Sequence, residues 1–226
     1  MARRTIVLSL MLGLLAAANA VPFDFYYLIL MWPGAYCESS DSGCCVPKYG
    51  YPAEDFFVKS FQTFDLSINK PVVKCRNGAA FDQNTLDKIE NSINHYWSNL
   101  QLGPTSRPPS TSEKQADVLG ALAEQGIEPD FNLYSTEKIK WAIAQKLGVA
   151  PGLQCRDGPF GKKQLYEVYL CVDTDGETFI ECPKLPAALS CPASVVFHPF
   201  YTWMLNSTAA AAFDSKILLA AETLLN

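Results

Sequence analysis

Acid–base chemistry near neutral pH would have to come from two histidines in this sequence. An imidazole has a pKa of about 6.5, so it both donates and accepts protons under ordinary working conditions. The chain contains only His95 and His198, which are far apart in the sequence. No pair of Cys-x-x-Cys spacings accompanies them, so a zinc site is disfavoured. We therefore expect no metal and no cofactor.

The first twenty residues predict entry into the secretory pathway. Two arginines precede an apolar run from residue 6 to residue 18, and Ala18-Asn19-Ala20 forms a small-residue cleavage site. The run is shorter than the ~20 residues that span a bilayer, which disfavours the alternative of a membrane anchor. We expect residues 1–20 to be a signal peptide and the mature chain to be secreted, with no membrane attachment.

The charge of the chain argues against strong binding of nucleic acids. The formal net charge is −5, and loss of the leader removes two arginines and no acid, which brings it to −7. Proteins that bind by neutralising phosphates are usually basic and carry clusters of Lys and Arg. We expect RNA to bind weakly at most and DNA not at all. The sequence does not identify a protein partner.

The cysteines indicate disulfide bonds. An even number of cysteines in a secreted protein usually forms disulfides, and zinc is the disfavoured alternative. The mature chain contains eight: Cys37, Cys44, Cys45, Cys75, Cys155, Cys171, Cys182 and Cys191.

Alternating and continuous apolar runs predict the strands. The run 23–30 is apolar and aromatic, as in a buried strand, and 56–64 is a second candidate. Alternation over 166–172 and 179–181, on either side of an Asp-Thr-Asp-Gly-Glu turn, predicts a β-hairpin. Cys171 and Cys182 lie symmetrically about that turn, so we expect them opposite each other and bonded.

Apolar spacings of three and four residues predict the helices. One runs from about Leu86 to Leu100, a short one around Val118 stops at Gly126, and one begins after Ser135 and stops at Gly148. The Pro- and Ser-rich stretch 102–112 predicts a loop. Strands mixed with segregated helices indicate an α+β domain.

The C-terminal segment 201–226 forms a tail beyond the domain. Asn206-Ser207-Thr208 is a sequon, so Asn206 is a candidate for N-glycosylation in a secreted protein. An amphipathic helix is the simplest interpretation of residues 209–225. An apolar tail beside a sequon also resembles some plant vacuolar-sorting propeptides, so a vacuolar destination is an alternative to the extracellular one.

Several motifs in the right order resemble the ribonuclease T2 family, in its plant S-like branch. The resemblance covers residues 24–200 with one large gap. The motifs are Trp32-Pro33-Gly34-Ala35-Tyr36-Cys37, Cys44-Cys45, Gly50-Tyr51-Pro52-Ala53-Glu54-Asp55-Phe56, Gln164-Leu165-Tyr166-Glu167-Val168-Tyr169-Leu170-Cys171, Ile180-Glu181-Cys182-Pro183, Cys191 and Phe197-His198-Pro199-Phe200.

The resemblance implies both a fold and a reaction. The fold would be a central antiparallel sheet flanked by helices over residues 21–200. The reaction would be RNA cleavage without a metal, in which histidines act as general acid and base and the 2′-hydroxyl attacks the phosphorus to give a 2′,3′-cyclic phosphate. A cationic group beside the phosphate would stabilise the developing charge.

The first active-site motif of the family is altered here. Family enzymes read Gly-Ile-His-Gly-Leu-Trp-Pro after Asp55-Phe56, whereas this chain continues Phe57-Val58-Lys59-Ser60-Phe61, so Lys59 stands in the place of the histidine. A lysine with its ordinary pKa of about 10.4 stays protonated at neutral pH and accepts no proton. Lys59 could still attract a phosphate, but a solvated surface lysine is the favoured interpretation.

The second active-site motif, His-Glu-Trp-x-Lys-His-Gly-Thr-Cys, is missing. Residues 102–117 lead directly from the predicted Trp97 helix to the next helix, which indicates an internal deletion there. His95 lies within a predicted helix and His198 in the final aromatic stretch, so neither is expected to replace the lost histidines. Leu30 and Met31 also stand where family enzymes commonly carry glutamines that touch the substrate.

The resemblance implies the disulfide pairing as well. It pairs Cys37 with Cys44, Cys155 with Cys191, and Cys171 with Cys182. The usual partners of Cys45 and Cys75 lie in segments that this chain lacks. The hypothesis is that Cys45 and Cys75 have joined each other.

Three functions remain open from the sequence. The favoured one is a secreted, catalytically inactive family member with a storage or interaction role, because the scaffold and leader remain while no catalytic residue set is intact. The alternative is a working endoribonuclease whose sequence has lost a segment through a defective gene prediction, although altered splicing does not explain Lys59. The third is a chain that the deletion prevents from folding stably.

Overall fold

A computed structural model describes residues 23–38, 44, 46, 54–72, 116–158 and 161–205. The strands are β1 (Phe25–Met31), β2 (Phe57–Asp65), β3 (Lys70–Pro71), β4 (Leu133–Ser135), β5 (Gly152–Asp157), β6 (Lys163–Val172), β7 (Phe179–Ile180) and β8 (Ser194–Val196). The α-helices are α1 (Pro33–Glu38), α2 (Val118–Ala123) and α3 (Thr136–Leu147), and a 3₁₀ turn covers Thr202–Met204. The predicted leader, the Leu86–Leu100 helix, the loop 102–112 and the segment 206–226 lie outside the described residues.

The strands form a single sheet built around β1 and β6. Its order is β3-β2-β1-β6-β8-β4, and β5 and β7 also pair with β6. The pairings are antiparallel except that of β6 with β8, which is parallel through Gln164 and Val196. The sheet with its flanking helices has the α+β architecture that was expected, with one parallel pairing added to the antiparallel core.

Alternation along β1 gives the sheet two apolar faces. Phe25, Tyr27 and Ile29 point into a small cluster with Phe64, whereas Leu30 joins the main core with Val168 and Leu170. Successive side chains on a strand point to opposite faces, so one run can serve both clusters. This explains why residues 25–31 are apolar throughout rather than alternating with polar residues.

Helix α3 covers the main core and has the boundaries that the sequence predicted. Ser135 is its N-cap and accepts a hydrogen bond from the backbone N–H of Lys138, while Gly148 ends it in the left-handed conformation at φ 79°. Its buried face includes Ile139, Ala142 and Ile143. No helix among the described residues is long and apolar enough to cross a membrane.

Trp32 connects the N-terminal and C-terminal parts of the described domain. Its ring is 1% exposed and lies 5.1 Å from the ring of Phe56 and 4.7 Å from that of Phe197, and its Nε1 donates to the His198 carbonyl at 2.6 Å. A Cβ on Gly34 would stand 2.5 Å from this nitrogen and 2.6 Å from the same carbonyl. Only glycine fits there, which accounts for the Trp-Pro-Gly sequence.

Candidate active site at a strand bulge

Lys59 occupies a β-bulge in β2. Ile29 of β1 lies opposite Ser60 and Leu30 lies opposite Val58, so Lys59 is the extra residue between two paired positions. A bulge breaks the ladder locally and redirects the side chain of the extra residue, and bulges often occur beside active sites. The strand therefore has a local irregularity at the position where we expect the catalytic histidine of family enzymes.

The ammonium group of Lys59 is ion-paired with a buried carboxylate. Its Nζ contacts Oε1 of Glu167, which is 3% exposed, while the lysine side chain is 44% exposed. The other carboxylate oxygen, Oε2, accepts a hydrogen bond from the Tyr169 hydroxyl at 2.8 Å. A buried carboxylate needs such partners, because removal of an unpaired charge from water is costly. Lys59 is therefore exposed, as expected of a surface lysine, but its ammonium group is paired with a carboxylate.

Tyr166 lies at a second bulge, in β6. Gln154 of β5 is opposite Glu167 and Cys155 is opposite Leu165, which leaves Tyr166 unpaired. The Lys59 Nζ lies 5.5 Å from the centre of its ring, and the Arg156 guanidinium carbon lies 4.7 Å from it. Both distances are typical of cation–π contacts. The two bulges thus bring two cations to one aromatic ring.

The tyrosines of this cluster remain neutral at physiological pH. Burial raises the pKa of Tyr166 to about 12, and the nearby negative charge of Glu167 adds to the effect while Arg156 opposes it. Burial also raises the pKa of Tyr169, with a further contribution from its hydrogen bond to Glu167. Neither phenol is therefore suited to accept a proton from a hydroxyl near neutral pH.

His198 is a buried structural residue. It is 4% exposed, its Nδ1 lies 2.7 Å from the Pro199 carbonyl oxygen, and its ring meets that of Phe131 edge-on at 5.1 Å. Its backbone carbonyl is the one that accepts the Trp32 hydrogen bond. His95 lies outside the described residues.

Leu30 and Met31, which stand where glutamines were expected, lie in strand β1. Leu30 is 4% exposed and lies opposite Val58 and Val168. Met31 lies opposite Phe57 and Glu167, at the end of the strand. Neither side chain offers the hydrogen-bonding groups with which an amide reads a nucleotide.

Three disulfides hold the described part of the chain. They are Cys37–Cys44, Cys155–Cys191 and Cys171–Cys182, with Cα atoms 5.3, 4.9 and 5.1 Å apart. These are the pairs that the resemblance implied. The predicted register of the hairpin is wrong by two residues, because Cys171 lies opposite Ile180 and bonds diagonally to Cys182. Cys45 and Cys75 lie outside the described residues.

Sequence reasoning missed the cluster around Glu167. The signal was present, since Glu167 is an acidic residue within the otherwise apolar and aromatic run 165–172. A charged residue inside a buried strand calls for a cation nearby. Lys59 was noted as a substitution, but its partner is more than a hundred positions away and only the sheet brings the two together.

The sequence profile of the Ribonuclease T2 family matches residues 23–113 and 109–182, which is most of the chain. The chain belongs to this family. Ribonuclease 1 of Arabidopsis thaliana is 31% identical over 211 residues, which cover 82% of this chain and 90% of that protein. Extracellular ribonuclease LE of Solanum lycopersicum is 29% identical, covering 86% of this chain and 96% of its own.

A more distant relative is named as a storage protein. The Ribonuclease-like storage protein of Panax ginseng is 23% identical over 192 residues, which cover 74% of this chain and 78% of that protein. Among solved structures, RNase NT in complex with 5′-AMP superposes with a TM-score of 0.66 at 27% identity, over 79% of this chain and all of that one. The fold is therefore that of the ribonuclease T2 family.

Proposed function

We propose that this chain is a catalytically inactive member of the ribonuclease T2 family that serves as a secreted storage or interaction protein. The observation that carries the proposal is the ion pair of Lys59 with the buried Glu167. The position in register with the first-motif histidine holds a cation that is occupied in binding a carboxylate. It cannot take the proton from a ribose 2′-hydroxyl, which is the first requirement of the family reaction.

The comparisons support a loss of the second motif. The family profile matches in two segments that meet at residues 109–113. The alignment with Ribonuclease 1 spans 211 positions but includes only 82% of the 226 residues of this chain. Some of the aligned positions are therefore gaps in this chain. Both observations agree with an internal deletion near 102–117. A relative named as a storage protein supports the proposed role.

The decisive experiment is an RNA cleavage assay on the purified secreted protein. We expect no turnover above that of a mock purification, with ribonuclease LE as the positive control. Turnover that is abolished both by diethyl pyrocarbonate and by His95→Gln would overturn the proposal. Loss of activity with the reagent alone does not assign the activity to this chain, because the reagent would also modify the histidines of a contaminating ribonuclease.

Restoring the first motif alone is not expected to restore activity. In Lys59→His an imidazole returns to the bulge, but one general acid–base group without its counterpart leaves the reaction incomplete. We expect RNA cleavage to stay at the level of the mock purification in Lys59→His, measured with a fluorogenic RNA substrate. Cleavage rising well above that level would show that a second catalytic group is present after all.

A working endoribonuclease is the second candidate, and the relatives favour it. Several are named ribonucleases, and RNase NT binds 5′-AMP. In this case the RNA transcript would encode the missing motif, and the protein sequence would have lost it through a defective gene prediction. Sequencing the transcript across residues 97–118 separates the two candidates, since a transcript without the motif supports the inactive form.

We further propose that the protein is secreted through its leader, with the extracellular space favoured over the vacuole. The relatives include both an extracellular and an intracellular ribonuclease, so they support either destination. Fusion of residues 201–226 to a secreted reporter tests the alternative. Export of the reporter to the medium supports the extracellular destination, and retention in the vacuole would identify the tail as a sorting signal.

A further inference from the structure

Strand β4 forms an open edge of the sheet. In the sheet that the structure describes, β4 pairs only with β8. The register of this pair continues to Thr136, whose backbone N–H donates to the Ala193 carbonyl at 3.0 Å. Bonding residues alternate along an antiparallel ladder, so Tyr134 faces β8 as Thr136 does. Leu133 has the opposite orientation, and its backbone N–H and C=O therefore point to the open edge.

The side chains along this edge lack the features that usually protect an edge strand. Leu133 is 53% exposed, and Phe131, two positions earlier, is 56% exposed. Residues 131–136 contain no charged residue and no proline. Natural sheets guard an open edge with lysines, prolines or inward-pointing charges, because an unguarded edge pairs with another strand. Since β4 has only three residues, a contact made through it is small.

Charges of opposite sign lie on the two sides of β4. Glu128 and Asp130 precede the strand, and Lys138 and Lys140 follow it in helix α3. Lys140 is paired with Glu137 at 3.0 Å. Glu128 and Lys138 are both exposed, and neither forms an ion pair within the part of the chain that the structure describes. An antiparallel copy of the same segment would bring these two charges to the same end.

We propose that β4 is a self-association site, at which two copies of this chain pair their β4 strands antiparallel about a two-fold axis at Leu133. The N–H of Leu133 in each copy donates to the C=O of Leu133 in the other, and the two leucine side chains lie opposite each other. The segment before β4 of one copy then runs beside the start of α3 of the other. Glu128 of each copy thereby faces Lys138 of the other.

A second copy of the chain suits this edge because the edge is complementary to itself. A two-fold contact joins the same surface on both copies, so each group must find its partner within that surface. The backbone groups of Leu133 meet this condition, and so do the acid before the strand and the lysine after it. A foreign peptide would leave Glu128 and Lys138 unmatched unless it carried the opposite charges in the reverse order.

The first test is analytical ultracentrifugation of the full secreted chain. Small interfaces associate weakly, so the protein is studied from about 5 to about 500 µM. We expect a reversible monomer–dimer equilibrium. Leu133→Lys should raise the dissociation constant at least about tenfold, because two ammonium groups then meet at the axis. The control is Ile68→Lys, the same kind of change at a 57% exposed residue between β2 and β3, which should leave the constant unchanged.

The second test exchanges the two charges. Glu128→Lys and Lys138→Glu should each raise the dissociation constant about threefold at low salt, because each places like charges together. In the double variant the charges are again opposite, so the constant should return to that of wild type. A variant that merely disturbed its own surroundings would not be rescued by the second change.

Three outcomes would overturn the inference. The first is a chain that stays monomeric up to the highest concentration. The second is a dimer that survives Leu133→Lys but is lost in Trp203→Ala, which would assign the contact to the indole that is 75% exposed. The third is a double charge variant in which the two single effects add. Circular dichroism of each variant is recorded first, and Leu133→Glu replaces Leu133→Lys if the latter does not fold. Because these tests measure association and not RNA cleavage, their failure leaves the proposed function untouched.

Discussion

Lys59 pairs with a buried carboxylate in the candidate site. Its ammonium group contacts one oxygen of Glu167, whose other oxygen accepts a hydrogen bond from the Tyr169 hydroxyl. The carboxylate is buried, so the lysine is the group that balances its charge. Lys59 is thereby expected to support the fold.

Removal of this lysine should cost more than removal of an ordinary surface lysine. We expect Lys59→Ala to lower the free energy of unfolding by about 1–3 kcal/mol, because Glu167 stays buried without its cation. Lys163→Ala is the control, since Lys163 is 46% exposed and pairs with the exposed Asp157 at 2.7 Å, and it should cost less than about 0.5 kcal/mol. Urea unfolding measures both.

A double-mutant cycle separates the ion pair from general packing. In a Glu167→Gln background there is no buried charge to balance, so Lys59→Ala should cost less than half of its effect in wild type. An equal cost in both backgrounds, or a cost equal to that of Lys163→Ala, would show that the pair is of no special importance.

The raised pKa of Tyr166 predicts a loss of stability at alkaline pH. Its pKa is raised from an ordinary 10 to about 12 in the folded protein, so the folded state favours the protonated phenol. Its contribution to stability is complete below pH 10 and is lost as the pH rises towards 12. We expect the free energy of unfolding to fall less steeply over this range in Tyr166→Phe than in wild type. Urea melts between pH 9 and pH 12 test this, with Tyr201→Phe as the control, and parallel curves for wild type and Tyr166→Phe would contradict it.

At the scale of elements, two bulges in the sheet determine the geometry of the candidate site. The bulges at Lys59 and Tyr166 lie in strands on either side of β1, and each redirects a side chain towards Glu167 or its surroundings. One disulfide ends on β6, which carries Tyr166, and another ends on β5, which carries Arg156.

The disulfides should differ in their contribution to stability according to the length of chain that they close. Cys155–Cys191 spans 36 positions and Cys171–Cys182 spans 11. The loss of loop entropy in the unfolded chain predicts costs of about 4 and about 3 kcal/mol for the respective Cys→Ala pairs. Thermal melts of the two double variants check the order. The reverse order would mean that the native strain or packing of these bonds outweighs loop closure.

At the scale of the whole molecule, the main core, with Trp32 within it, predicts a folded protein. Trp32 joins the N-terminal part of the described domain to its C-terminal part through the His198 carbonyl. We expect one cooperative thermal transition, because this length is typical of a single domain. Its midpoint should lie at about 45–65 °C. A broad, non-cooperative melt would instead support the hypothesis that the deletion prevents stable folding.

The acidity of the molecule predicts weak binding of RNA. A net charge of −5 disfavours approach of the phosphate backbone, and Lys59, one of the two cations beside Tyr166, is paired with Glu167. We expect no retention of single-stranded RNA in a filter-binding assay at ~150 mM salt, where ribonuclease LE made inactive by histidine substitution serves as the comparison. Saturable binding at this salt concentration would contradict a role without RNA.

The sequence by itself determined the family, the fold class, the boundaries of α3 and the absence of a histidine at position 59. These follow from local patterns, because helix caps, strand alternation and motif order are written in consecutive residues. Only the tertiary structure decided what Lys59 does, that Tyr166 lies at a bulge, and that Cys171 stands opposite Ile180. Strand register and the partner of a buried charge depend on residues that are distant in the chain, and these meet only when the sheet has formed.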